Sequence, residues 1–184
     1  MTESYLKEIG IISENSEVKL ITPTIFFVQE IYILPILGTD LYNEVQTQIG
    51  ASTEGTHDAV SVLNVDLLER FILPTMIPYT LHECTPVFKY RYMNKGIQVK
   101  NSENSTSADL SEIKFLMDKW KQTAEILAQR MTNFLKAHTT EYPLYCANTD
   151  CDDIKPNKTN YTSSLYLGNS DDREEYNIRI GNYE

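Results

Sequence analysis

Among the side chains in this sequence able to ligate a metal, shuttle a proton or attack an electrophile, the scarcest are three histidines, His57, His82 and His138, and three cysteines, Cys84, Cys146 and Cys151. His57 falls in the polar run "ASTEGTHDA" and His82 in an apolar, proline-bearing stretch. His138 closes a long helical pattern, where a cation meets the negative end of the helix dipole. None has a cysteine or carboxylate at metal-ligand spacing on its own element. His82, Glu83 and Cys84 are consecutive, and consecutive positions on a helix fan out in different directions. Cys84 then reads as a small core residue. "CANTDCDD", residues 146–153, sets Cys146 and Cys151 among Asp150, Asp152 and Asp153. Zinc would need a histidine or a second cysteine pair, and a calcium loop its glycine and distal glutamate. Both are missing, so the run reads as an acidic linker. No GxxxxGK, GxGxxG, GxSxG or HExxH occurs. These residues assign no catalytic, cofactor-binding or metal position and imply no cofactor. The chain is expected not to be an enzyme, with a metal-dependent or hydrolytic site assembled from His82, Glu83 or the 146–153 cluster as the alternative.

Chemistry so sparse shifts attention to the frame. The chain has 184 residues, enough for one domain with a real core and an extended terminal segment. Its net charge of -10 argues against direct nucleic-acid binding, which depends on Lys and Arg displacing counterions. An acidic wall can still line a path through which DNA passes, because it repels the backbone. The N-terminal "MTESYLKEIG" lacks a basic stretch followed by an apolar one, and no uninterrupted apolar run is long enough to cross a membrane. A soluble chain made in the cytoplasm, with no membrane partner, is expected. Three cysteines without a CxxC spacing give no disulfide framework.

The apolar periodicity predicts an all-α bundle. Ile25, Val28, Ile31 and Tyr32 recur at helical spacing from Thr22 to Leu34, with Thr22 and Pro23 suited to a helix start. In "YILPILGTDLYNEV", Pro35 and Gly38 stop that helix, and Thr39 or Asp40 can cap the next, which runs to Gly50. Residues 59–92 predict one kinked helix, or two meeting near Pro74, since Pro74 and Pro78 each remove a backbone bond. "YMNKGIQVKNSENSTS" predicts a turn, a short strand at "IQV" and a loop. Leu110, Ile113, Met117, Trp120, Ala124, Leu127, Met131, Phe134 and His138 mark one long helix of ~30 residues, opened by a capping box from Thr106 to Asp109. A second apolar set, Phe115, Leu116, Ile126 and Leu135, widens its stripe toward packing on the kinked helix. No internal repeat is apparent. Residues 1–145 thus form the helical domain. Residues 146–184, with eight acidic and four basic residues and no helical period, form an extended tail that cannot build its own core. Its alternating runs "SSLYLG" and "YNIRIG" suit pairing with a neighbour's sheet edge.

Twelve tyrosines is high for this length. Tyr161, Tyr166, Tyr176 and Tyr183 lie in the tail, and Tyr90 and Tyr92 precede the loop, where no core claims them. Tyrosine combines contact area with a polar tip and is enriched at protein interfaces. Lys95 and Lys100, flanking Gly96 and Ile97, together with Lys89 make the region of the 94–107 loop locally basic.

In order, "YILPILGTDLYNEV", "LLERFILPTMIPYTLHECTPVF", "NKGIQV" and "FLKAHTTEYPLY" resemble the head-to-tail connector (adaptor, head completion) proteins of tailed bacteriophages, most of all the neck ring proteins of crAss-like phages. The resemblance covers about residues 5–145. It implies a helical bundle packed side by side into a ring, typically twelve-fold, docked beneath the portal protein and against adjacent neck or tail rings. Such a ring extends the DNA channel and resides in the virion, with DNA only as passing content. Lys95, Gly96, Ile97 and Lys100 would project toward channel or portal. Tyr161, Tyr166, Tyr176 and Tyr183 would strap onto neighbours. A cytosolic regulatory bundle is the remaining alternative.

Overall fold

The prolines decide how this chain's helices run. The structure, a computed structural model, describes residues 1–9, 11–53, 58–94, 96–99, 109–145 and 154–156. Five helices account for most of them: α1 (Glu3–Ile9), α2 (Val18–Leu37), α3 (Thr39–Ala51), α4 (62–89) and α5 (Leu110–Ala137). Between α4 and α5 stands a hairpin of β1 (Tyr90–Met93) and β2 (Gly96–Val99), paired antiparallel with Tyr90 opposite Val99 and Met93 opposite Gly96. A single 3₁₀ turn, Pro143–Tyr145, follows α5. The all-α expectation, with one long helix, one proline-bearing helix and a short hairpin, describes this chain.

Pro35 does not stop α2, and Pro74 does not divide α4. Each proline is preceded by a widened π turn, Gln29–Ile33 in α2 and Leu68–Ile72 in α4. There the amide of Leu34 donates to the Gln29 carbonyl and that of Leu73 to the Leu68 carbonyl, five residues back. The extra width makes room for a ring that would clash with a carbonyl in a regular turn. Both turns carry one pattern, Glu-x-aromatic-Ile-Leu-Pro, at residues 30–35 and 69–74. A short repeat is therefore present after all. Gly38 then ends α2 at φ +77°, as expected, with its amide on the Leu34 carbonyl at 2.8 Å.

Helix starts shift from the expected places. α2 begins at Val18 behind Glu17, so Pro23 lies inside it rather than in its first turn, and Thr22 caps nothing. α5 is opened by Asp109 with Glu112, whose carboxylate accepts the Asp109 amide at 2.9 Å; Thr106 lies outside the described residues. At 28 residues α5 is about 42 Å long.

α4 lies at the centre, antiparallel to α2, where Tyr32 meets Tyr79 and Leu20 shares a cleft with Val87, and to α5, where Phe71 meets Phe134 and His82 meets Met117. The core gathers Ile21, Ile25, Val28 and Ile33 of α2, Leu67, Phe71 and Met76 of α4, and Ala124, Ala128, Met131 and Leu135 of α5. The small Ala124 and Ala128, both fully buried, let α5 approach α4 closely. Buried threonines are satisfied within their own helices: Thr75 and Thr80 donate to the Phe71 and Met76 carbonyls at 2.7 and 2.8 Å. Of the second apolar set on α5, only Leu135 joins this core. Phe115, Leu116 and Ile126 face outward, because α4 occupies the adjacent stripe and no other described element covers theirs. α2 is the one helix among the described residues long and apolar enough to cross a membrane, yet its inner stripe is buried against α4.

Candidate functional site

Tyr32, Tyr79, His82 and Glu83 meet where α2 and α5 flank α4. The Tyr32 ring stacks on Tyr79 with centroids 4.1 Å apart, and its hydroxyl donates to Glu83 Oε1 at 2.6 Å. His82 Nδ1 lies 2.9 Å from the Met117 carbonyl. A carbonyl only accepts, so Nδ1 carries the proton and ties α4 to α5. His82 Nε2 stands 3.8 Å from Glu83 Oε1, closer than the fan-out of neighbouring helical positions predicts. Cys84 is buried.

Such a cluster could move protons, but its electrostatics favour holding them. Burial first, then the Glu83 hydrogen bond and charge, raise Tyr32 well above the ordinary phenol range. Tyr79 is pushed up to about 12 by burial and by the charge of Glu125. Burial also pushes the Cys84 thiol up to about 11, which keeps the nucleophilic thiolate scarce. Phenols so far from ionising serve as permanent donors. The cluster is a clamp between helices.

The same device recurs. Tyr42 of α3 donates to Glu30 of α2 at 2.7 Å, and Tyr142 donates to the Leu63 carbonyl of α4 at 2.8 Å. Burial heads the causes that raise both phenols. Tyr32 and Tyr42 escape a search for interface aromatics because they sit on apolar helical stripes, and Tyr142 because it follows the last long helix. Their partners stand 51, 12 and 79 residues away in the chain, so no local pattern marks them.

The expected interface positions separate into described and undescribed ones. Gly96 opens β2 at φ +113°, and Ile97 beside it is 62% exposed. Lys95, Lys100, Tyr161, Tyr166, Tyr176 and Tyr183 lie outside the described residues, as do His57 and the 146–153 cluster. His138 caps α5, stacked on Phe134 with Nδ1 2.9 Å from the Phe134 carbonyl. Among the described residues no group of three or more His, Cys, Asp or Glu could hold a metal ion.

Two surface features stand out instead. An open cleft of ~510 Å³ runs between the start of α2, the end of α4 and the hairpin, lined by Leu20, Val87, Tyr90, Met93 and Val99, with Lys19 on its rim. Arg91 enters it from β1 and forms a two-pronged pair with Glu17, at 3.0 and 3.1 Å. At the opposite end of α2, residues 154–156 grip the corner before α3. The Thr39 amide donates to the Ile154 carbonyl at 3.1 Å, and the Ile154 amide donates to Thr39 Oγ1 at 2.9 Å. Thr39 is therefore engaged in this clamp and does not cap α3. Pro156 lies so close to Gly38 that a Cβ there would stand 2.7 Å from its Cγ.

No curated protein and no solved structure matches the chain significantly. A family match runs from Ile33, in the α2 π turn, to Lys155, in the clamp on Thr39, which is more than half of the chain. On that match the chain belongs to DUF6712, a family of unknown function.

Proposed function

We propose that this protein is a structural subunit of a phage head-to-tail connector ring. It docks beneath the portal, extends the DNA channel and joins the head to adjacent neck or tail rings, and it catalyses nothing. The observation that carries the reading is the outward apolar surface of a block otherwise tied rigidly together. Phe26, Phe27 and Ile31 on α2, and Phe115 and Ile126 on α5, are each more than half exposed. Large side chains left uncovered on two separate helices suit a subunit with different neighbours on its two sides, the arrangement that closes a ring by rotation. The order of helices, hairpin and long helix agrees with the connector resemblance, and the net charge of -10 suits a channel wall that lets DNA slide.

Particle mass tests this. Purified protein, alone and mixed with the portal of the same phage, should give a closed oligomer of one size by mass photometry and rings in electron micrographs. A strictly monomeric mass in both conditions would sink it.

A further inference from the structure

We infer that β2 accepts a third strand, and that the strand is residues 163–168 of a second copy of this chain. The inference rests on the reading of the protein as a self-assembling subunit and names one contact of that assembly. The hairpin is the one sheet among the described residues, and two strands alone in water are marginally stable. All four residues of β2 are exposed, and its outer edge has no partner strand among the described residues. Ile97 and Val99, two apart and so on one face, are 62% and 44% exposed. The apolar cleft beside them, lined by Leu20, Val87 and Met93, extends the surface that an added strand could cover. A bare edge with apolar side chains is a template for strand addition: main-chain hydrogen bonds supply affinity, and alternate side chains supply the choice of partner.

Residues 163–168, "SSLYLG", fit that template. Leu165 and Leu167 fall on one side of an extended segment and Tyr166 on the other. The acidic run that follows, Asp171 to Glu175, then comes beside a rim that carries Lys19, Arg91 there being paired with Glu17.

Reach selects the copy. Pro156 is held against Gly38, at the end of α2 remote from the hairpin. From Pro156 to Ser163 is seven residues, which span at most ~25 Å fully extended. From Leu37 back to Leu20, which lines the cleft together with Gln98 and Val99 of β2, is 17 helical residues, or ~26 Å. The chain's own segment would reach the cleft only with every linking residue pulled fully taut, leaving no slack to lie along β2. A neighbour's segment has no such limit.

Two differently tagged full-length chains test this, both with Cys146→Ser and Cys151→Ser, one with Val99→Cys and the other with Leu165→Cys. Mixed and oxidised, they should give a disulfide-linked heterodimer that reductant dissolves. Adding Leu167→Pro, which removes one ladder amide outside the helical core, should lower its yield about tenfold with the helical circular dichroism unchanged. An oligomeric mass without the heterodimer, or a disulfide forming only within a chain that carries both cysteines, overturns strand exchange and leaves the assembly reading standing. A strictly monomeric mass overturns both.

Discussion

Four tyrosines decide how this molecule responds to alkali. Tyr32, Tyr42, Tyr79 and Tyr142 are all raised above the free phenol, chiefly by burial. An unfolded tyrosine ionises near pH 10, so each folded phenol lends its full stabilisation below about that pH and loses it as pH climbs toward its folded value. Tyrosinate absorbance and helical circular dichroism, followed together in an alkaline titration, should show these four ionising only as helix is lost, from about pH 10 toward about 12 for Tyr79. Tyr32→Phe, which deletes the Glu83 bond and keeps the ring stack, should cost about 1 kcal/mol at neutral pH by urea unfolding and flatten the alkaline limb. Early ionisation of all twelve tyrosines with the helices intact would refute the clamp. Little of this was legible beforehand. Tyr32 and Tyr42 were placed on apolar stripes correctly, but a partner 51 residues away in the chain, as Glu83 is from Tyr32, leaves no local trace.

At the scale of elements, apolar spacing carried most of what could be read. Of the apolar run 59–92, residues 62–89 form one helix while 90–92, expected to continue it, turn into β1, and the hairpin arises where Asn94 and Gly96 mark a turn. What spacing could not give was the handling of proline. Whether Pro35 and Pro74 break a helix depends on whether the preceding turn can widen, which is a property of backbone hydrogen bonds and packing rather than of residue type. The outward placement of Phe115 and Ile126 was equally hidden, because a wide apolar stripe does not say which part of it finds a neighbour within the chain. The corner between α2 and α3 gives the sharpest test at this scale. Gly38→Ala places a Cβ on a residue at φ +77° and 2.7 Å from Pro156 Cγ, and should cost about 1–3 kcal/mol. Pro156→Ala removes only the ring contact and should cost less. Chemical unfolding of the two variants checks the order, and the reverse order would show that backbone strain at Gly38 is not the dominant effect.

For the molecule as a whole, the division between inner and outer apolar residues separates stability from assembly. Phe115→Ser with Ile126→Ser should leave the unfolding midpoint nearly unchanged, since surface substitutions rarely move stability beyond about 0.5 kcal/mol. The same pair should shift the sedimentation profile toward smaller species, whereas Leu135→Ala, fully buried, should cost about 2–5 kcal/mol. An unchanged profile for the double variant would remove α5 from the contact surface. The clamp of residues 154–156 on Thr39 has a mechanical corollary. A pull on the chain beyond Pro156 meets the body first at the α2–α3 corner, through two hydrogen bonds and a ring lodged against Gly38, so the load bypasses α5 until that grip slips. Whatever tethers the far end of this polypeptide tugs on the junction between the second and third helices, and the long helix is spared the strain.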